Sequence, residues 1–64
     1  MLWELYEVWS VVDGHEDLID TTKSLTEARE WATKAIQDDG LEEVVIYREN
    51  EDGDLEELER YTSS

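Results

Sequence analysis

Apolar positions along this chain follow two different periods, one typical of strands and one typical of a helix. The segment 2–12 is rich in aromatic and β-branched residues and shows no helical stripe, which predicts a strand. The pair Asp13-Gly14 that follows is suited to the positive φ angles of a tight hairpin turn. We therefore expect a short second strand over 17–22.

The middle of the chain predicts a helix over 25–39. Ser24 and Glu27 have the spacing of a capping box, in which the serine hydroxyl accepts the glutamate backbone N–H and the glutamate side chain accepts the serine N–H. Gly40 is placed to end the helix in a left-handed conformation. An apolar stripe recurs at helical spacing, with Trp31 at its edge: Leu25, Ala28, Ala32, Ala35 and Ile36.

The last third of the chain predicts a second hairpin, with strands over 42–50 and 54–61 joined at Asp52-Gly53. The residues 55–60 also have good helix propensity, so a helical turn there is an open alternative. The fold class is then α+β: one small domain with an antiparallel sheet of three to four strands and one helix on one sheet face, in the order β-β-α-β-β.

Two-residue turns would set specific cross-strand pairs. In the first hairpin, Trp9 would lie opposite Leu18 and Val8 opposite Ile19. In the second hairpin the expected pairs are Arg48–Glu57, Tyr47–Leu58 and Val44–Tyr61.

Both faces of the predicted strands are apolar, although one helix covers only one face. The first strand has Tyr6, Val8 and Val12 on one side. Its other side carries Trp3, Leu5, Trp9 and Val11. The third strand likewise has Val44 and Ile46 on one side and Val45 and Tyr47 on the other. Uncovered aromatic residues usually indicate an interface. We therefore predict that Trp3, Trp9 and Tyr47 anchor a partner or a homodimer; the alternative is that curvature, loops and chain ends cover them.

Composition adds a strong charge to this picture. The 64 residues include 19 acidic and 5 basic side chains, so the net charge is −14. Such a charge is typical of disorder, but three Trp and three Tyr in periodic segments favour a folded domain. Direct binding to nucleic acid or to an anionic membrane is disfavoured because both are polyanions. Since no apolar run approaches the ~20 residues of a membrane span and no secretory signal is recognisable, we expect a cytoplasmic location.

Seven carboxylates in eleven residues form an acidic run: Glu49, Glu51, Asp52, Asp54, Glu56, Glu57 and Glu59. Alternate residues of a strand lie about 6.6 Å apart, close to the phosphate spacing of a nucleic acid. A 7.5 kDa globule exposes about 4,200 Å², so its average charge density is roughly one third that of duplex DNA. A face that gathers this run could approach the density of DNA. We predict an acidic partner-binding face; the alternative is a solvated edge that prevents aggregation.

Catalytic and metal-binding patterns are not found in the sequence. There is no cysteine, no Gly-rich phosphate loop and no triad, and His15 stands alone in a turn among acids. A calcium loop centred on Gly53 would place Arg48 where the first acidic ligand is required. We therefore expect no enzyme activity, no cofactor and no metal.

The order of motifs resembles small β-β-α-β-β proteins of bacteria and their phages. The residues that carry this resemblance are Ser24, Glu27-Ala28, Gly40, Val45-Ile46, Asp52-Gly53 and Tyr61. In size, acidity and lack of catalytic residues the chain is also similar to phage-encoded inhibitors of host defence, including anti-CRISPR and DNA-mimic proteins. That resemblance implies an inhibitor that occupies a basic, nucleic-acid-binding surface of a host protein, in the host cytoplasm. Two alternatives stay open: a salt-adapted cytoplasmic domain, and a homodimeric accessory or scaffold protein.

Overall fold

The computed structural model describes residues 5–63. Four strands and one helix follow one another as β1 (Leu5–Val12), β2 (His15–Thr22), α1 (Leu25–Gln37), β3 (Glu43–Glu49) and β4 (Leu55–Thr62). The strands form one antiparallel sheet in the order β2-β1-β3-β4. This confirms the α+β class and the β-β-α-β-β order, and the segment 55–60 is strand, not helix.

The first hairpin has the predicted two-residue turn. Asp13 and Gly14 adopt φ angles of 50° and 83°, as a type I′ turn requires. Trp9 therefore pairs with Leu18, as predicted. The second strand is longer than predicted because pairing begins directly after the turn.

A bulge in the first hairpin makes the other predicted pair wrong. The register shifts between Val8 and Trp9, so Val8 pairs with Asp20 and Ile19 becomes the extra residue. One extra residue changes the sheet face on which the following side chains of β2 lie. The bulge lies on an edge strand, where it disturbs the flat surface that another chain would need for strand pairing.

The second hairpin does not have the predicted two-residue turn. Its last pair is Glu49–Leu55, so the loop has five residues. Asn50 organises this loop: its side-chain oxygen accepts the backbone N–H groups of Asp52 at 2.9 Å and Asp54 at 3.1 Å. Its own backbone N–H donates to the Asp54 carbonyl at 3.0 Å. An Asn side chain that replaces backbone partners in this way stabilises a wider loop.

The wider loop shifts the register of the strand pair. Arg48 lies opposite Glu56 and Tyr47 opposite Glu57, one residue away from the predicted partners. A second bulge, between Ile46 and Tyr47, then offsets the shift. As a result, the predicted pair Val44–Tyr61 is correct.

The helix begins and ends by local hydrogen bonds. Ser24 Oγ accepts the Glu27 backbone N–H at 3.3 Å, as the capping box predicts, but the Ser24 N–H donates to Thr22 Oγ1 at 3.1 Å and not to Glu27. The helix ends at Gln37, two residues earlier than predicted. Gly40, with φ of 70°, reverses the chain so that the Leu41 N–H donates to the Ala35 carbonyl at 3.1 Å.

The hydrophobic core lies between α1 and one sheet face. Its buried members are Tyr6, Val8, Ala28, Ala32, Ala35, Val44 and Ile46. The three helix residues are alanines, which allow the helix backbone to approach the sheet closely. Larger, partly buried side chains surround this core: Leu25, Trp31, Ile36, Leu41, Leu58 and Tyr61. The core is small, so each fully buried side chain contributes a large share of the stability.

Candidate interaction surface

The sheet face opposite α1, here called the open face, is not covered by the helix. Strand alternation and the cross-strand pairs assign these apolar residues to it: Leu5, Trp9, Val11, Leu18, Val45, Tyr47 and Leu55. Leu18 is 50% exposed and Leu55 is 46% exposed. The expectation that the face opposite the helix keeps bulky aromatic residues therefore holds for Trp9 and Tyr47.

Trp9 and Tyr47 form an edge-to-face pair on neighbouring strands. Their ring centroids are 6.4 Å apart and the ring planes make an angle of 88°. The indole Nε1–H of Trp9 donates to Glu7 Oε1 at 2.9 Å, and the hydroxyl of Tyr47 donates to Glu16 Oε2 at 3.1 Å. Each ring thus has its polar atom bound by a carboxylate.

The phenol of Tyr47 lies across the width of β1. Tyr47 belongs to β3 and pairs with Glu7 of β1, yet its hydroxyl reaches Glu16 on β2. Partial burial raises the pKa of Tyr47, and the hydrogen bond to Glu16 raises it further. The ring therefore lies along the sheet surface and links three strands.

A fully buried valine lies next to the aromatic pair on the open face. Val45 is on the open face and is nevertheless fully buried. Its cross-strand neighbours are Trp9 on β1 and Arg60 on β4. Because the helix is on the other face, side chains of the open face provide this cover. Trp9 and Tyr47 are accordingly half-buried, and their hydrogen bonds and mutual contact hold both rings in place.

The acidic run does not gather on one face. Glu49 and Glu57 belong to the open face, whereas Glu56 and Glu59 lie on the helix side of β4. The remaining members, Glu51, Asp52 and Asp54, are in the exposed loop between β3 and β4. Strand alternation alone puts the adjacent Glu56 and Glu57 on opposite faces. The five-residue loop and the bulge decide which of the two lies on the open face, because each changes the register by one residue.

On the helix side, Arg29 of α1 binds Glu59. Its Nε lies 3.0 Å from both carboxylate oxygens and its Nη2 lies 2.7 Å from Oε2. The Tyr61 hydroxyl donates to the same carboxylate at 2.7 Å. The hydrogen bond from Arg29, followed by that from Tyr61, lowers the pKa of Glu59, and the pKa of Arg29 is raised mainly by the same hydrogen bond. Burial, followed by the hydrogen bond to Glu59, raises the pKa of Tyr61.

The other two arginines neutralise further carboxylates of β3 and β4. Arg48 binds Glu56 at 2.8 Å. On the open face, Arg60 binds Glu57 at 2.8 Å and also contacts Glu43. Exposed pairs of this kind contribute about 0–1 kcal/mol each. Their main consequence is local charge compensation along β4.

Uncompensated negative charge is found elsewhere on the surface. Within residues 5–63, no ion pair involves the loop carboxylates Glu51, Asp52 and Asp54. The same holds for Glu7 and Glu16, whose partners are the two aromatic donors. The two carboxylates that accept hydrogen bonds from the aromatic pair are therefore not among those that the arginines bind, whereas Glu57, the cross-strand neighbour of Tyr47, is bound by Arg60.

Two of the residues around the aromatic pair were not predicted as site residues. Glu7 lies two residues before Trp9, so strand alternation alone places it on the same face. Glu16 lies opposite Val11 in the first hairpin, as a two-residue turn implies. Both positions were therefore available from the pattern, but the hydrogen bonds to the aromatic rings were not. Of the three predicted anchors, Trp3 lies outside the described residues.

A separate cleft of about 250 Å³ lies between β2 and α1. Its lining residues are Ile19, Asp20, Trp31, Lys34, Ala35 and Asp39. Across residues 5–63, no group of three or more His, Cys, Asp or Glu side chains is arranged to hold a metal ion. The single helix described in this range is too short and too polar to cross a membrane. No protein-family model, curated protein or solved structure matches the chain.

Proposed function

We propose that this chain is a non-enzymatic binding module whose open face docks onto a basic surface of a partner protein. The partner we favour is a nucleic-acid-binding protein of the host cytoplasm, which the module inhibits by occupying its basic groove. The observation that carries the proposal is the Trp9–Tyr47 pair on the uncovered sheet face, flanked by Glu7 and Glu16.

The aromatic pair supplies the short-range part of binding. Trp and Tyr are the residue types most enriched at binding hot spots. Because Trp9 and Tyr47 are already held by hydrogen bonds and by each other, little side-chain entropy is lost when a partner covers them. Half-exposed Leu18 and Leu55 extend the apolar area on either side.

The charge supplies the long-range part. A net charge of −14 speeds the encounter with a basic surface and opposes contact with another acidic one. This argues against a second copy of the chain as the occupant, because a symmetric dimer through the open face would bring two strongly negative surfaces together. A basic partner has the complementary charge.

The distribution of carboxylates refines the inhibitor hypothesis. A single strip of seven charges would imitate one strand of phosphates, but the run is divided between both sheet faces and a loop. We therefore propose that the charge acts mainly by steering the encounter, and that the aromatic pair determines the fit.

The proposal is tested by titrating the full chain with a panel of basic nucleases and polymerases at increasing salt. Trp9→Leu on the open face is compared with Trp31→Leu on the helix side, and circular dichroism verifies that both variants fold. We expect affinity to fall at least tenfold from low to moderate salt, and to be weakened by Trp9→Leu but not by Trp31→Leu. The proposal is contradicted if the affinity does not change with salt concentration, or if Trp9→Leu and Trp31→Leu weaken it equally.

A further inference from the structure

The geometry of the open face points to the kind of basic side chain it binds. Glu7 lies on one side of Trp9 along β1, and Glu16 lies beyond its other side, opposite Val11. In the edge-to-face contact of Trp9 and Tyr47, one ring presents only its edge to the other, so the contact covers neither face of that ring. Trp9 and Tyr47 are each only partly buried, so part of their surface is open to solvent beside these two carboxylates.

We propose that the open face selects arginine over lysine in its partner. A guanidinium stacks on the Trp9–Tyr47 pair and donates to the carboxylate of Glu7 or Glu16. The inference rests on the proposed function and specifies the chemistry of the partner.

Each flanking carboxylate can accept further hydrogen bonds. An ionised carboxylate has about four acceptor sites, and Glu7 and Glu16 each use one for an aromatic donor. These hydrogen bonds hold the carboxylates next to the rings. A planar group that stacks on a ring can then reach a carboxylate at the ring edge without moving it.

Guanidinium fits this arrangement better than ammonium. It is planar, carries five donors and is weakly hydrated, so it stacks on an aromatic face while its N–H groups, which lie in its own plane parallel to the ring, stay free to donate hydrogen bonds at the ring edge. The lysine ammonium is compact and strongly hydrated, and it gains less from leaving water.

The arginines of this chain do not occupy the position. Arg60 is on the open face but binds Glu57 and Glu43. Arg29 binds Glu59 on the helix side, and Arg48 lies on the helix side of β3, where it binds Glu56. The net charge of −14 is complementary to a partner that supplies a guanidinium of its own.

The test uses two peptides of equal length and charge, one alternating arginine with serine and the other lysine with serine. Calorimetric titration of the full chain at low salt measures both affinities. We expect the arginine peptide to bind more tightly, by up to about two- to fivefold, since that is the full value of an exposed cation–π contact and lysine makes a weaker one, and we expect Trp9→Leu to remove this preference.

A charge-matched pair of variants separates the flanking carboxylates from net charge. The double variant Glu7→Gln/Glu16→Gln is compared with Glu51→Gln/Asp52→Asn in the exposed loop. Both remove two negative charges, so both weaken nonspecific attraction to the same extent. Only the first is expected to reduce the preference for arginine.

The outcomes distinguish this inference from the proposed function. Equal binding of both peptides that is weakened by Trp9→Leu keeps the binding module and overturns arginine selection. An arginine preference that survives Trp9→Leu, or that both double variants reduce equally, also overturns the inference. If neither peptide binds at low salt, the proposed function fails as well.

Discussion

Arg29 of α1 binds Glu59 of the edge strand β4 through two guanidinium nitrogens, although the two residues are thirty positions apart in the chain. The Tyr61 hydroxyl holds the same carboxylate from the strand side. Because β4 pairs with only one strand, β3, this contact ties the outer part of the sheet to the helix. It is also the place where the structure is expected to respond most clearly to acid.

Acidification should remove the contribution of this contact. The pKa of Glu59 is lowered in the folded state, so its contribution to stability is present above the ordinary glutamate pKa of about 4.3 and is lost as pH falls through the lowered value. Removing negative charge also relieves repulsion in the rest of the chain, which complicates the absolute trend. The informative quantity is therefore the difference in unfolding free energy between the wild type and Glu59→Gln. We expect that difference to shrink from about pH 5 to about pH 3; a constant difference contradicts the assignment.

Shortening the side chain of Ile46 should strongly lower the free energy of unfolding. This side chain is fully buried between α1 and the sheet. Ile46→Ala should destabilise the domain by about 2–5 kcal/mol and Ile46→Val by about 0.5–1.5 kcal/mol. Urea unfolding monitored by circular dichroism measures both. Exposed Ile19→Ala is the control and should have a much smaller effect.

The helix N-terminus depends on one hydroxyl. Ser24→Ala removes the acceptor of the Glu27 backbone N–H and should destabilise the domain by about 1 kcal/mol. Ser24→Gly should lose only a few tenths of that amount, because glycine allows water to solvate the N–H group. Thermal melts of the two variants test the assignment, and equal losses would exclude the hydroxyl as the cause.

Salt should stabilise the fold through the net charge of −14. Screening weakens repulsion among carboxylates that the arginines do not compensate, so the melting temperature should rise between dilute buffer and roughly 0.15 M salt, where the Debye length is about 8 Å. The same series tests the salt-adapted alternative. A chain that is unfolded in dilute buffer and folds only in molar KCl would favour that alternative over the binding module.

Local chemistry explains which parts of the fold were predictable. Asp13-Gly14 has one favoured conformation, so the first turn and the pair Trp9–Leu18 followed from the residue types. Asp52-Gly53 carries the same signal, but Asn50 is close enough to bind the loop backbone and makes a wider loop. At the helix start, the Ser24 N–H donates to Thr22 Oγ1, whereas in a capping box it would donate to the Glu27 side chain. In both places a nearby polar side chain competed successfully for a backbone group.

The candidate site was predictable in part for the same reason. Alternation separated Trp9 from Val8 within β1 and Tyr47 from Ile46 within β3, but the β1–β3 register of the folded sheet is what puts Trp9 and Tyr47 on the same face. The distribution of the acidic run was not predictable, since it depends on a loop length and a bulge that each shift the register. The compensation of Glu59 by Arg29 joins the helix to a strand that follows it, and no local pattern contains that contact.

The amino-acid sequence alone determined the elements, their order, the net charge and the two-sided apolar character of the strands, because these depend on residue type and short-range periodicity. The tertiary structure decided which face the helix covers, which carboxylates the arginines neutralise and which carboxylates flank the aromatic pair. Those outcomes depend on register, and a single extra residue in a strand moves the following side chains to the opposite face of the sheet.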